Sequence, residues 1–173
     1  SFAHGRCRCH RREVLAQPFE LLGELGDLVL RPPVERAARG RHHAAVRVGW
    51  GEIPAFVPDV LHAHDWQAAL VPAYLRYLGQ GQRRPATVLS LHNLAFQGQF
   101  KADVWHLLGL PAEAFAMQGL EYHGDVGYLK AGIHFADAIT TVSPTYAREI
   151  LTLAGGMGLD AMLRWREGAV SGI

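Results

Sequence analysis

The sequence from about residue 52 onward predicts an α/β fold: a Rossmann-like parallel sheet with helical crossovers. Three observations carry this. Short β-favouring runs recur at 60–64, 86–93 and 138–143. Stretches with apolar side chains three and four residues apart follow each of them. Glycine and proline mark the joins. Strand, helix, strand, helix, strand, helix is the order of a parallel sheet, because parallel neighbours need a long crossover and a helix supplies it.

Residues 1–50 do not share this order. "SFAHGRCRCHRREV" is basic and has no period. "RPPVERAARGRHHAAVRVGWG" mixes arginine, histidine, glycine and proline without forming a face. Only "VLAQPFELLGELGDLVL" has the material for a helix or strand, and Pro18 interrupts it. The segment reads as an atypical basic leader, either disordered or folded only against other chain. His4, Cys7, Cys9 and His10 lack the separated ligand pairs of a structural zinc site.

The elements follow in order. "VLHAH" (60–64), after Pro58 and Asp59, is the first strand. Residues 65–79 form a helix whose apolar face is Leu70, Ala73, Tyr74, Tyr77 and Leu78, with Asp65 to cap its start and Gly79 to end it. Pro72 lies inside the pattern and demands a kink or a late start. Arg83, Arg84 and Pro85 make a loop, and "ATVLSLHN" (86–93) is a strand apolar enough to be covered on both faces. A long loop follows, with Gly98, Gly109 and Pro111. Residues 124–138 have helical spacing through Val126, Leu129, Ile133 and Phe135. "AITTVS" (138–143) is the third strand. Ser143 is a good N-cap for the helix after it, Pro144 fits its first position, and the pattern continues to Leu151.

Composition excludes several classes. A net charge of +1 gives no global field toward nucleic acid or membrane. No apolar run approaches the roughly 18–20 residues that cross a bilayer. The N-terminus lacks a charged-then-apolar export pattern, so the cytoplasm is the expected location. Cys7 and Cys9 are too close for an ordinary structural disulfide.

The polar residues gather where ligands of open parallel sheets bind, beyond the carboxyl ends of the strands. The first strand runs into His62, His64 and Asp65, the second into His92 and Asn93, the third into Ser143. Each has a bland counterpart. His62 and His64 alternate to the same side of the strand, and His62 suits packing. Asp65 and Ser143 suit helix caps. Trp66 suits a core anchor as well as a platform for a sugar ring. His-x-His-Asp also suits a metal hydrolase built on His62, His64 and His92, but the next available ligands, His134 and Asp137, fall at the far end of the crossover helix.

Four stretches, "PDVLHAHDWQAALVPAYL", "LSLHNLAFQGQF", "GLEYHGDVGYLKAGIHFADAITTVSPTYAREI" and "GMGLDAMLRWREGAVSGI", closely resemble bacterial glycogen (starch) synthases, in order from Pro58 to Ile173. The resemblance implies part of the N-terminal domain of a glycosyltransferase-B fold, in which two Rossmann-like domains face each other across a cleft. It implies transfer of glucose from ADP-glucose to the non-reducing end of an α-1,4-glucan, with retention and without a metal or other cofactor. By motif it assigns catalytic roles to Asp65 and His92, places Trp66, Gln67 and Asn93 beside them, and puts Ser143 and Tyr146 at the domain edge, all as substrate-side residues. Lys130 of "YLKAG" falls on the preceding helix without a clear role. The family's early lysine-glycine-glycine loop has no match in residues 1–50. The nucleotide-sugar domain is absent from these residues, so this chain alone is expected to be inactive. A glucan-binding module without catalysis is the alternative, and the zinc hydrolase a more distant one.

Overall fold

The computed structural model describes residues 13–16, 58–78 and 84–173, the first four by backbone alone. Among the described residues, five parallel strands form the main sheet. They are β1 (Glu13–Ala16), β2 (Val60–His64), β3 (Ala86–Leu91), β7 (Ala138–Thr141) and β8 (Val170–Gly172), side by side in that order. Within this sheet, neighbours in space follow one another in chain order. Right-handed crossovers that step the same way between parallel neighbours lie on the same face, as the described crossovers from β2 onward do. β1 lies in the segment set apart as a leader, where its basic start meets its one stretch of apolar residues.

The crossovers supply the core. Helix α1 (Asp65–Ala68) and helix α2 (Val71–Leu78) follow β2, and helix α4 (Tyr128–Phe135) precedes β7. Leu61 packs with Leu70, Val71, Tyr74 and Ala131. Ala63, Leu89, Leu91 and Ile139 pack with Ala69, Leu129 and Ile133. Burial alternates along β2, with Leu61 and Ala63 inside and Val60, His62 and His64 half-buried on the opposite face. Gly132 lets α4 approach closely, for a Cβ there would lie 2.7 Å from the Cβ of Ala69.

The helix expected at 65–79 is two helices joined by a turn at Ala69 and Leu70. Pro72 is the cause. It has no N–H to extend α1, yet it is tolerated as the second residue of α2, whose first turn closes from Tyr74 N–H to the Leu70 carbonyl. The second strand ends at Leu91, which leaves His92 and Asn93 outside the ladder.

The expected helix at 124–138 is corrected more sharply. Its start is strand β6 (Asp125–Gly127), which pairs antiparallel with β4 (Gln99–Phe100) and β5 (Glu121–Tyr122) in a second sheet. His123 (φ 53°) and Gly124 (φ 81°) are both left-handed, as the two central residues of a type I′ hairpin turn must be. Val126 matched the helical spacing of Leu129 and Ile133 by coincidence. Helix α3 (Trp105–Leu108), also inside the expected loop, ends at Gly109. Beyond β7, helix α5 (Pro144–Glu149) starts as expected, with Ser143 Oγ accepting the Tyr146 N–H at 3.0 Å. Helix α6 (Asp160–Trp165) then leads into β8.

Candidate active-site edge

Three strand ends meet around the backbone of residues 92–95. Asp65, the first residue after β2, has φ 50°. Asp tolerates that left-handed region at a cost of order 1 kcal/mol. Its carboxylate does not cap its own helix. It reaches across to the end of β3, where Oδ1 accepts the His92 N–H at 2.8 Å. The next donors are also met by side chains. The Leu94 N–H donates to the Tyr146 hydroxyl at 3.0 Å, and the Ala95 N–H to Asn93 Oδ1 at 2.9 Å. Backbone donors leaving a ladder need new partners, and here the first residue of α1, the loop after β3 and a residue of α5 supply them.

The histidines form a seam on the sheet face opposite the helices. His64 stands in register with Ser90, and Ser90 with Thr140. His64 Nδ1 and His92 Nε2 are 3.0 Å apart. His62 stacks on His64 with ring centroids 4.4 Å apart, and its Nε2 lies 2.7 Å from Ser90 Oγ. Ser90 Oγ in turn lies 2.6 Å from Thr140 Oγ1. His62 is thus held within the sheet, as its packing role requires, while His92 is exposed at the rim.

Among the other expected site residues, Asn93 is exposed on the same loop. Gln67 is half-buried on α1, two residues beyond Asp65. Ser143 is engaged as a cap, and Tyr146 as the acceptor for Leu94. Trp66 is partly buried between the two core clusters, with Phe100 at 5.7 Å and Tyr128 at 6.4 Å between ring centroids. Gly98 (φ 61°) makes room for it, since a Cβ there would lie 2.5 Å from the Trp66 ring. Its surroundings are those of a core anchor.

Other residues shape the edge without having been singled out in the sequence. Gln97 Nε2 donates to the Met157 carbonyl at 2.9 Å, and the Tyr122 hydroxyl to the Gly158 carbonyl at 3.2 Å. The first ties the 155–158 loop to the segment after β3 and the second ties it to β5. Gln97 sits inside "LHNLAFQG" and Tyr122 inside "GLEYHGDVGYLKAG", so the resemblance carried a signal for both, though not for the role of either. Lys130 has a definite role. It is 4% exposed and donates to the carbonyls of Met117 and Gly119, pinning the loop before β5. Burial lowers its pKa, opposed by Glu121.

Among the described residues no three histidine, cysteine or acidic side chains are placed to hold one metal ion. Asp137 lies at the opposite end of the sheet, accepting the Thr87 N–H at 2.7 Å. No helix among the described residues is long and apolar enough to cross a membrane.

The fold and this edge define a Rossmann-like α/β domain, with its polar residues converging at the carboxyl ends of three parallel strands. Comparison with known proteins is specific. The family model described as the starch synthase catalytic domain matches residues 17–165, so the chain belongs to that family. The match begins within the leader. Glycogen synthase of Acidiphilium cryptum is 62% identical over 123 residues, which are 71% of this chain and 25% of that one. Glycogen synthase 2 of Bradyrhizobium diazoefficiens is 57% identical over 129 residues, 75% of this chain and 26% of that one. The chain therefore spans about a quarter of the length of these relatives. The catalytic domain of starch synthase IV from Arabidopsis thaliana, solved bound to ADP and acarbose, superposes with a TM-score of 0.72 at 28% identity, covering 83% of this chain and 30% of that one. The match confirms the α/β fold expected from the sequence and leaves the zinc hydrolase without support.

Proposed function

We propose that this chain forms the acceptor-side wall of the cleft of a retaining glucosyltransferase, which passes glucose from ADP-glucose to the non-reducing end of an α-1,4-glucan. The observation that supports it most is the link from Asp65 to His92 at the shared strand edge, in a chain of the starch synthase family. The ADP and acarbose bound by the Arabidopsis relative support a nucleotide donor and an oligosaccharide acceptor. In this reading a second domain, outside these 173 residues, holds most of the donor, and the cytoplasm is where the reaction runs.

The chemistry suits the residues. Breaking the bond from glucose to a diphosphate builds positive character on the ring and negative charge on the leaving group. A carboxylate fixed at the rim, as Asp65 is, steadies the former or orients the acceptor hydroxyl. His92 offers a ring nitrogen to a sugar hydroxyl. Asn93 and Gln67 would contribute amide groups, and Ser143 and Tyr146 would shape the far side. Trp66 would act through its exposed edge or by supporting the loop.

The test is a graft. Residues 58–173 replace the matching segment of the Acidiphilium glycogen synthase, and transfer from ADP-glucose to glycogen is measured. The graft is expected to turn over, with Asp65→Ala and His92→Ala each lowering kcat by about 10²–10³-fold. Near-normal rates in either variant would remove that residue from the site. A folded but inactive graft would count against the whole reading.

A further inference from the structure

His92 is fixed twice. Its backbone N–H is held by Asp65 at 2.8 Å, and its ring nitrogen Nε2 lies 3.0 Å from Nδ1 of His64. An imidazole pair at that distance bonds only when one nitrogen carries a proton and the other a lone pair. The two rings therefore share one proton and their tautomers are coupled. The support continues inward: His62 stacks on His64, bonds Ser90, and Ser90 bonds Thr140. The seam crosses β2, β3 and β7 and ends at the exposed ring of His92.

We infer that His64 is the positioning residue for His92, fixing its ring plane and tautomer so that Nδ1 is the nitrogen presented to a ligand. Among the described residues, no side chain or backbone group meets that Nδ1. If His64 supplies the shared proton, a neutral His92 carries its own proton on Nδ1 and donates. If His92 supplies it, Nδ1 accepts. A hydroxyl can answer either state, because it both donates and accepts, whereas a carboxylate or an ammonium answers only one. The arrangement thus accommodates a hydroxyl-rich ligand whichever of the two tautomers is fixed. That last step rests on the glucan reading above; the pairing of the rings does not.

The experiment uses the chain labelled with ¹⁵N in its histidines. Wild type is expected to show nitrogen–nitrogen coupling across the His64–His92 bond and a single tautomer for His92. His64→Phe keeps a ring for His62 to stack on but removes Nδ1; the His92 ring nitrogens should then move to values of a freely averaging imidazole. His64→Gln, whose amide can meet Nε2, should restore one ring state. His92 is exposed, so His92→Ala gives a comparison that does not endanger the fold, and it should shift the His64 Nδ1 resonance. Unchanged His64 resonances in His92→Ala, or unchanged His92 resonances in a folded His64→Phe, would overturn the inference. Maltoheptaose is then added. The His92 Nδ1 resonance should respond in wild type, with apparent affinity about tenfold weaker in His64→Phe. Coupling without any response to maltoheptaose would sink the glucan reading while the ring pairing stands. A response of equal affinity in wild type and His64→Phe would overturn the positioning role.

Discussion

Residue by residue, the edge is a set of side chains standing in for a strand. β3 stops at Leu91, and Asp65, Tyr146 and Asn93 take over the backbone donors that follow. Tyr146 is the simplest to probe. Tyr146→Phe keeps the ring but leaves the N–H of Leu94, a fully buried residue, without its acceptor. The expected loss is about 1–2 kcal/mol in urea unfolding. An unchanged midpoint would show that water replaces the hydroxyl without cost. Asp65 holds the loop and, in the function proposed above, also carries chemistry, so its substitution must be read with a measurement of folding beside that of rate.

The elements depend on close approach. α4 reaches the α1–α2 turn only because residue 132 has no side chain. Gly132→Ala improves helix propensity by about 1 kcal/mol. It also places a methyl 2.8 Å from the Ala69 carbonyl oxygen. Overpacking typically costs 1–3 kcal/mol, so the net effect is expected to be destabilising. A rise in the thermal midpoint of the variant would show that α4 shifts freely. The far end of α4 is closed by Arg166 rather than by glycine. Its guanidinium donates to the carbonyls of Ile133 at 2.8 Å, His134 at 2.7 Å and Ala136 at 2.5 Å, which satisfies groups the helix leaves open.

For the molecule as a whole, the two ends of the sheet are divided in purpose. The polar groups of the candidate site gather at the carboxyl end, while the amino end is locked by Asp137, which binds Thr87 and Arg84. Burial alone would raise the Asp137 pKa, but the hydrogen bonds from Arg84 and Thr87 outweigh it and hold the carboxyl below its ordinary value of 3.8. The unfolded chain therefore binds this proton more readily than the folded one. The stabilisation is fully present above about pH 4 and is lost as pH falls through the folded value. In Asp137→Asn, chemical unfolding followed across the acid range should show a shallower fall in stability below about pH 4 than in wild type. Equal slopes would mean that other carboxylates govern acid unfolding.

Local pattern alone determined the three central strands, the crossover order and the capped start of α5, because each rests on the period of a few neighbouring residues. It also brought Asp65, His92, Asn93 and Ser143 to one edge, since parallel strands place their carboxyl ends together. Tertiary structure decided the rest. Whether Val126 belongs to a helix or a strand depended on a partner, β4, more than twenty residues away. Asp65 looked like a cap until the end of β3 lay beside it with an unmet N–H. Trp66 looked equally open and buried until Gly98 and Phe100 closed over it. The coupling of His64 to His92 spans 28 residues of chain. A period along the chain reports which way a side chain points, but which group it meets is set only when distant strands come into register.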